Sequence, residues 1–169
     1  MIDQGARAIN FELPSSMGRI VNLQNYLGKY IVLFFYPKDG TPGCTKEVCS
    51  FRDSFEKFLE FKDVILFGIS ADSLESHKNF IDKYNLPFEL LSDEKFEVAK
   101  KYGVFEEKTF LKKVIKSINR TTFILNKEGI VQKVFRDVNP NQHAEEILAE
   151  VTNLKKANEK RGALEKKSF

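Results

Sequence analysis

A chain of 169 residues, 42% hydrophobic and 30% charged, is long enough for one domain with a real core and is not the composition of a disordered protein. No apolar run approaches the roughly 20 residues that cross a bilayer, and the start, MIDQGARAINFELP, lacks a basic region followed by an apolar core, so neither a membrane span nor a signal peptide is expected. The net charge of +3 sits at one end: in residues 155–169 six Lys or Arg face Glu159 and Glu165, a net of +4 that leaves −1 for the rest, so a near-neutral body carries a basic tail.

In chain order, NFELP and GRIVNL read as two short strands around a Pro-Ser-Ser turn, an N-terminal β-hairpin. YIVLFFY, residues 30–36, is a continuous apolar run too short for a helix and rich in aromatic and β-branched residues, which predicts a buried strand. A Gly/Pro-rich loop follows. Val48, Phe51, Phe55, Phe58 and Leu59 then recur at helical spacing and predict one amphipathic helix. VILFGIS, residues 64–70, is a second buried strand. Asp72 or Ser73 can cap a helix carrying Leu74, His77, Phe80, Ile81 and Tyr84. After an extended LPFELLSD, Ser92 or Asp93 can cap a helix with Phe96, Val98, Ala99 and Tyr102, ended by Gly103. RTTFILNKEGIVQKVF is a hairpin turning at NKEG. A last helix presents Ile147, Leu148, Val151 and Leu154. No repeat or linker is visible, so a single α/β domain over 1–154 is expected, with a mixed central sheet flanked by helices, and 155–169 as a helical or frayed basic extension.

The chemistry lies in the only two cysteines, Cys44 and Cys49. A closed zinc site needs four ligands, and the two histidines, His77 and His143, stand apart on separate expected helices, so no metal is expected. His77 reads as a surface or core residue and His143 as the start of the last helix. The Cx4C spacing is not a CxxC redox pair. Cys44 nevertheless follows a strand and a Gly/Pro-rich loop and opens a helix, where free N–H groups and the helix dipole favour a thiolate. Thr41 could cap that turn and hold a polar substrate. Five residues along a helix place two Cα atoms about 8 to 9 Å apart, whereas a disulfide needs them within about 7 Å. On one intact helix the cysteines cannot bond; a bond requires the helix to open. Simple packing remains an open reading of Cys49.

The segment YPKDGTPGCTKEVCSFRD resembles the active-site segment of peroxiredoxins of the bacterioferritin-comigratory-protein, or peroxiredoxin Q, type. The family pattern P-x-x-x-T/S-x-x-C is met by Pro37, Thr41 and Cys44, and a cysteine five residues on, here Cys49, marks the subtype. The stretches GARAINFELPSSMGRIVNLQNYLGKYIVLFFYPKD, FGISADSLESHKNFIDKYNLPFELLSDEKFEVAKKYGV and INRTTFILNKEGIVQKVF extend the similarity over the body, to about Leu154. The resemblance implies a thioredoxin-like fold and reduction of hydrogen peroxide and organic hydroperoxides. It implies Cys44 as the peroxidatic thiolate, oxidised to a sulfenic acid, and Cys49 as the resolving thiol that forms an intramolecular disulfide. Thioredoxin or a similar dithiol would be the reductant. Thr41, the N–H groups of Gly43 and Cys44, and Arg120 would stabilise the reacting oxygens, with Pro37 limiting water access and Glu47 bonded to the arginine. It implies no metal or organic cofactor and a monomer or at most a weak dimer; the lack of a span and of a signal peptide favours no membrane partner and a cytoplasmic setting, and the basic tail reads as a solvated extension and not as a nucleic-acid contact. Departures are Ile9 in place of the usual proline, Gly40, and the stretch GVFEEKTFLKKVIKSIN, which lacks the glycines expected before the arginine strand and places Phe105 at an often aromatic position. Two alternatives stand beside this reading. One is a thiol–disulfide oxidoreductase or peroxide sensor; the other is a binding module using the basic tail.

Overall fold

The computed structural model describes residues 2–167. Glu12–Pro14 (β1) and Ile20–Asn22 (β2) pair antiparallel as the expected N-terminal hairpin. Arg19 and Ser15 tie this hairpin to the buried carboxylate of Glu89, with Arg19 Nε 3.2 Å from Glu89 Oε2. Tyr30–Phe35 (β3) is buried at every residue. It shows no hydrophobic alternation because both of its faces are covered: Ile31, Leu33 and Phe35 enter one core, and Val32 and Phe34 the other. Pro42–Asp53 (α1) and Phe55–Glu60 (α2) follow, then Val64–Ser70 (β4), Leu74–Tyr84 (α3), Glu89–Ser92 (β5) and Glu97–Tyr102 (α4). Phe105–Phe110 (β6) and Lys113–Ile118 (β7) form a separate two-stranded sheet. Thr121–Leu125 (β8), Val131–Arg136 (β9) and the long His143–Lys167 (α5) complete the chain.

The central sheet has the order β5-β4-β3-β8-β9, parallel on the β3–β4–β5 side and antiparallel on the β3–β8–β9 side. This is the mixed, helix-flanked sheet expected from the sequence. The second core, which holds Phe34, Cys44, Val48, Phe51, Phe88 and Ile147, lies between the sheet and α1 and α5. Gly68 on β4 is what lets Phe34 sit there: a Cβ at 68 would come within 2.5 Å of the Phe34 ring and 2.7 Å of Leu90. Phe34 stacks on Phe51 of α1 with ring centroids 4.7 Å apart, so the strand supports the helix directly.

Three elements differ from expectation. The single helix expected through Leu59 breaks at Ser54, whose backbone N–H turns to the carbonyls of Ser50 and Arg52. The break resets the helical phase, so Phe58 stays buried while Leu59 faces solvent. The helix after Asp93 starts at Glu97, because Phe96 takes a left-handed conformation (φ 59°) and packs its ring on Phe105. Asp93 still caps it, accepting from the N–H groups of Val98 and Ala99 at 3.2 and 2.8 Å. The β6–β7 hairpin falls where the sequence pattern predicts no element; Leu111 and Lys112 occupy the left-handed turn positions usually given to Asn and Gly. At the other end of the chain, α5 runs unbroken through residue 154, and Lys155 reaches Asp63 at 2.5 Å.

Candidate active site

Strand β3 delivers the chain to a loop, and α1 starts at Pro42, where a missing N–H costs nothing. The N–H of Thr45 bonds the Thr41 carbonyl at 2.9 Å. That leaves the N–H groups of Gly43 and Cys44, by their position in the first turn, without a helical acceptor. Cys44 is fully buried at this helix start, and both cysteines are thiols. Arg120, entering from the stretch before β8, brings its Nη2 to 3.1 Å from Cys44 Sγ and its Nη1 to 3.0 Å from Glu47 Oε2. Cys44 and Glu47 are three residues apart on one helix and therefore share a face, so one guanidinium engages both. Gly43 makes room for it: a Cβ there would lie 3.2 Å from Arg120 Nη2. Arg120, Cys44, Gly43 and Glu47, expected together from the resemblance, are brought together.

The electrostatics follow from burial. Glu47 is completely buried and its Oε1 has no hydrogen-bond partner among the described residues. Burial pushes its carboxyl up to about 7, and the neighbouring Arg120 charge only partly offsets this. For Arg120, burial opposes the charge, but Glu47 and Cys44 outweigh it and the guanidinium is held protonated even more firmly than usual. Beside it, His143 Nε2 shares a hydrogen bond with the Thr122 hydroxyl at 2.5 Å, while its Nδ1 has no hydrogen-bond partner among the described residues. Burial first, and then the Arg120 charge, lower His143 to about 4.

Thr41 differs from expectation. Its hydroxyl does not cap α1; it donates to the Lys38 carbonyl at 3.0 Å and so closes the loop on itself. Its one hydrogen is therefore engaged, and its oxygen is free to accept. Pro37 lies half-buried at the start of the same loop. Gly40 has φ 76°, a left-handed turn position that suits glycine.

A polar network that the sequence reading did not assemble holds this loop. Asp39 accepts from the Tyr36 hydroxyl (2.6 Å) and the Ser76 hydroxyl (2.9 Å), and its Oδ2 lies 2.6 Å from Nδ1 of the buried His77. His77 Nε2 faces the Leu91 carbonyl at 3.0 Å. The Asp39 N–H donates to Asp72 at 2.8 Å. Asp39, Asp72 and His77 place possible metal-ligating atoms within 4.8 Å of one another, and hydrogen bonds already engage each. A histidine within the apolar spacing of α3 was the available signal, but its partner lies 38 residues away and has no pattern of its own.

Cys49 lies on the same unbroken helix, half-buried against the second core. Burial, reinforced by Asp53 and opposed by Arg52, raises its thiol above the usual range. The far end of α1 is fastened: Phe51 is fully buried, and Arg52 Nη1 donates to the Tyr84 carbonyl at the end of α3 at 2.8 Å.

Comparison with known proteins agrees with this geometry. Residues 4–134 match the AhpC/TSA family. The chain is 46% identical over 147 residues to peroxiredoxin Bcp of Bacillus subtilis, covering 87% of this chain and 93% of that one. It is 44% identical over 147 residues to a Coxiella burnetii protein described as a putative peroxiredoxin bcp, covering 87% and 97%. Among solved structures, the bacterioferritin comigratory protein of Xanthomonas campestris, studied for alkyl peroxide reduction, superposes with a TM-score of 0.79 at 34% identity, covering 85% of this chain and 90% of that one. A peroxiredoxin Q of Xylella fastidiosa gives 0.83 at 30% identity, covering 90% and 97%. The chain thus belongs to the AhpC/TSA family, as a thioredoxin-fold thiol peroxidase of the Bcp and peroxiredoxin Q type.

Proposed function

We propose that the protein reduces hydrogen peroxide and organic hydroperoxides at Cys44, with Cys49 as the resolving thiol and thioredoxin or a similar dithiol as reductant. The observation that carries this is the single guanidinium of Arg120 set 3.1 Å from the Cys44 sulfur and anchored on the buried Glu47. A pure disulfide exchanger has no use for such a clamp at its sulfur. The Cys44 thiolate attacks the terminal peroxide oxygen; the S–O bond forms, the O–O bond breaks, and the alcohol or water leaves with a proton. Arg120 and the free N–H groups of Gly43 and Cys44 are preset donors to the charge that develops on oxygen. Because the Thr41 hydrogen is given to Lys38, Thr41 serves as acceptor for the hydroperoxide O–H and so orients the attacked oxygen. Pro37 walls the site against water.

The Cys44 sulfenic acid is then attacked by Cys49, releasing water and forming a disulfide, and exchange with a dithiol restores both thiols. Since α1 is intact between them, this step opens the helix. Both cysteines lie in one chain, which supports a monomeric cycle in a body spanning 1–154 with an appended basic extension, and a lone cysteine pair of catalytic use fits a reducing cytoplasm.

Peroxide-dependent NADPH oxidation in the presence of thioredoxin and its reductase tests the reading. Turnover is expected in wild type and absent in Cys44→Ser. Cys49→Ser should consume one equivalent of peroxide and then stop. Failure of wild type to consume peroxide refutes the proposal.

A further inference from the structure

The β6–β7 hairpin stands outside the central sheet and is anchored at its base by the buried Ile118 and by Phe105, which packs on Phe96 and lies 4.8 Å from Lys100 Nζ. Its tip is different. Phe110, Leu111, Val114 and Ile115 are 65%, 80%, 62% and 50% exposed, the densest group of large apolar side chains on the described surface. The strand register puts Val114 opposite Thr109 on one face, and Ile115 and Phe110 on the other, with Leu111 in the turn. Apolar side chains therefore stand on both faces of the tip and in its turn, so that no single face gathers them all. Interleaved with it are Lys108, Lys112, Lys113 and Lys116, while the hairpin's two acids, Glu106 and Glu107, stand nearer its base, Glu107 in register with Lys116. Lys108 pairs with Glu106 at 3.3 Å, whereas Lys112, Lys113 and Lys116 form no ion pair with a described residue. The turn itself holds Leu111 and Lys112 in left-handed conformations (φ 49° and 63°), which are strained outside glycine. A bulky apolar and a cationic side chain are thus displayed where glycine would make the easier turn.

We propose that this tip seats in the surface of an anionic phospholipid bilayer, its four apolar side chains entering the headgroup–acyl boundary and its lysines meeting lipid phosphates. A fluid medium closes around apolar side chains that stand on two faces and in a turn, with lysines between them, as no rigid groove does. Long lysine stems can lie along apolar surface while their ammonium groups remain at the headgroups, and each lysine near an anionic leaflet adds to the attraction. A second copy of the chain is a poorer occupant, because the lysines of two tips repel. No described helix is long and apolar enough to cross a membrane. The absence of a membrane partner expected from the sequence rested on the lack of a span, and a surface seat requires none.

Vesicle flotation tests this with the full-length protein. Vesicles of phosphatidylglycerol and phosphatidylcholine in equal parts should carry wild type upward at low salt, and pure phosphatidylcholine should not. The double variant Phe110→Ser/Leu111→Ser and the double variant Lys112→Glu/Lys113→Glu should each bind at least about tenfold more weakly while keeping wild-type turnover of hydrogen peroxide, which certifies their fold. The chain contains no tryptophan, so in Leu111→Trp a single emission band should shift to the blue when anionic vesicles are added. Lys160→Glu/Arg161→Glu, in the basic extension, should float like wild type. The proposal is overturned by wild type that stays below the vesicles, by a Phe110/Leu111 variant that floats undiminished, by unshifted tryptophan emission, or by loss of flotation in the Lys160/Arg161 variant.

Discussion

Arg120 spans two demands that a shorter or less forked side chain could not meet together. One arm reaches the Cys44 sulfur and the other a buried carboxylate that fixes its direction. Removing preset donors of this kind commonly costs about 10²- to 10³-fold in rate. Arg120→Ala should slow peroxide consumption by about that factor, measured by competition against a reference peroxidase, and should also lower the thermal midpoint, because the buried Glu47 carboxyl loses its Arg120 partner. Arg120→Lys keeps the charge but loses the fork, and should fall between. The cluster of Cys44, Gly43, Glu47 and Arg120 was legible in the sequence because local spacing and the resemblance mark its members. The direction of the Thr41 hydroxyl was not, because it depends on where the Lys38 carbonyl points. Asp39 and His77 escaped for a related reason: their pairing is made by the crossing of a loop and α3, and neither neighbourhood announces the other.

Among the elements, periodicity found the buried strands, where a continuous apolar run has few other uses, and it found α3 with its Ser73 cap, which accepts from the Ser76 N–H. It failed at Ser54, because the apolar stripe runs on through a break that only backbone geometry reveals. It failed again at β6–β7, because the turn there uses Leu and Lys in place of the residues that signal a hairpin. The support of α1 by β3 gives a sharp test. Gly68→Ala places a methyl group inside the Phe34 ring and against Leu90, both closely packed. Overpacking of this kind costs about 1 to 3 kcal/mol, visible as a lowered urea midpoint, and it should loosen α1 through the Phe34–Phe51 stack.

At the scale of the whole molecule, two buried titratable groups flank Arg120 with opposite signs. Glu47 is raised to about 7, so between its unfolded value of 4.5 and that point the folded state holds a proton the unfolded state has lost; its contribution to stability falls as pH rises through this window. His143 is lowered from 6.5 to about 4, so between those values the unfolded state holds the extra proton and the contribution rises with pH. Arg120 and Glu146, whose Oε2 is 3.7 Å from His143 Nδ1, are the charged neighbours. From pH 4.5 to 6.5 the two contributions oppose each other. Relative to wild type, His143→Gln should therefore lose stability with rising pH and Glu47→Gln should gain it, each by up to about 1.4 kcal/mol per pH unit, read from urea unfolding at a series of pH values. Equal pH slopes in all three proteins would refute the assignment.

The fastening of α1 at its C-terminal end has a kinetic consequence. With Phe51 seated in the core, Arg52 bonded to the Tyr84 carbonyl, and the loop before the helix held through Asp39, only a short stretch around the two cysteines is left to unwind. Cys44, Glu47 and Val48 must leave their buried positions for it to unwind, and local opening of a packed segment takes from microseconds to seconds. The tether sets how large a fraction is open at any instant. Cutting it with Arg52→Ala should enlarge that fraction, so that the disulfide forms faster after a pulse of peroxide while the initial attack on peroxide keeps its rate; rapid-quench mass spectrometry separates the two steps.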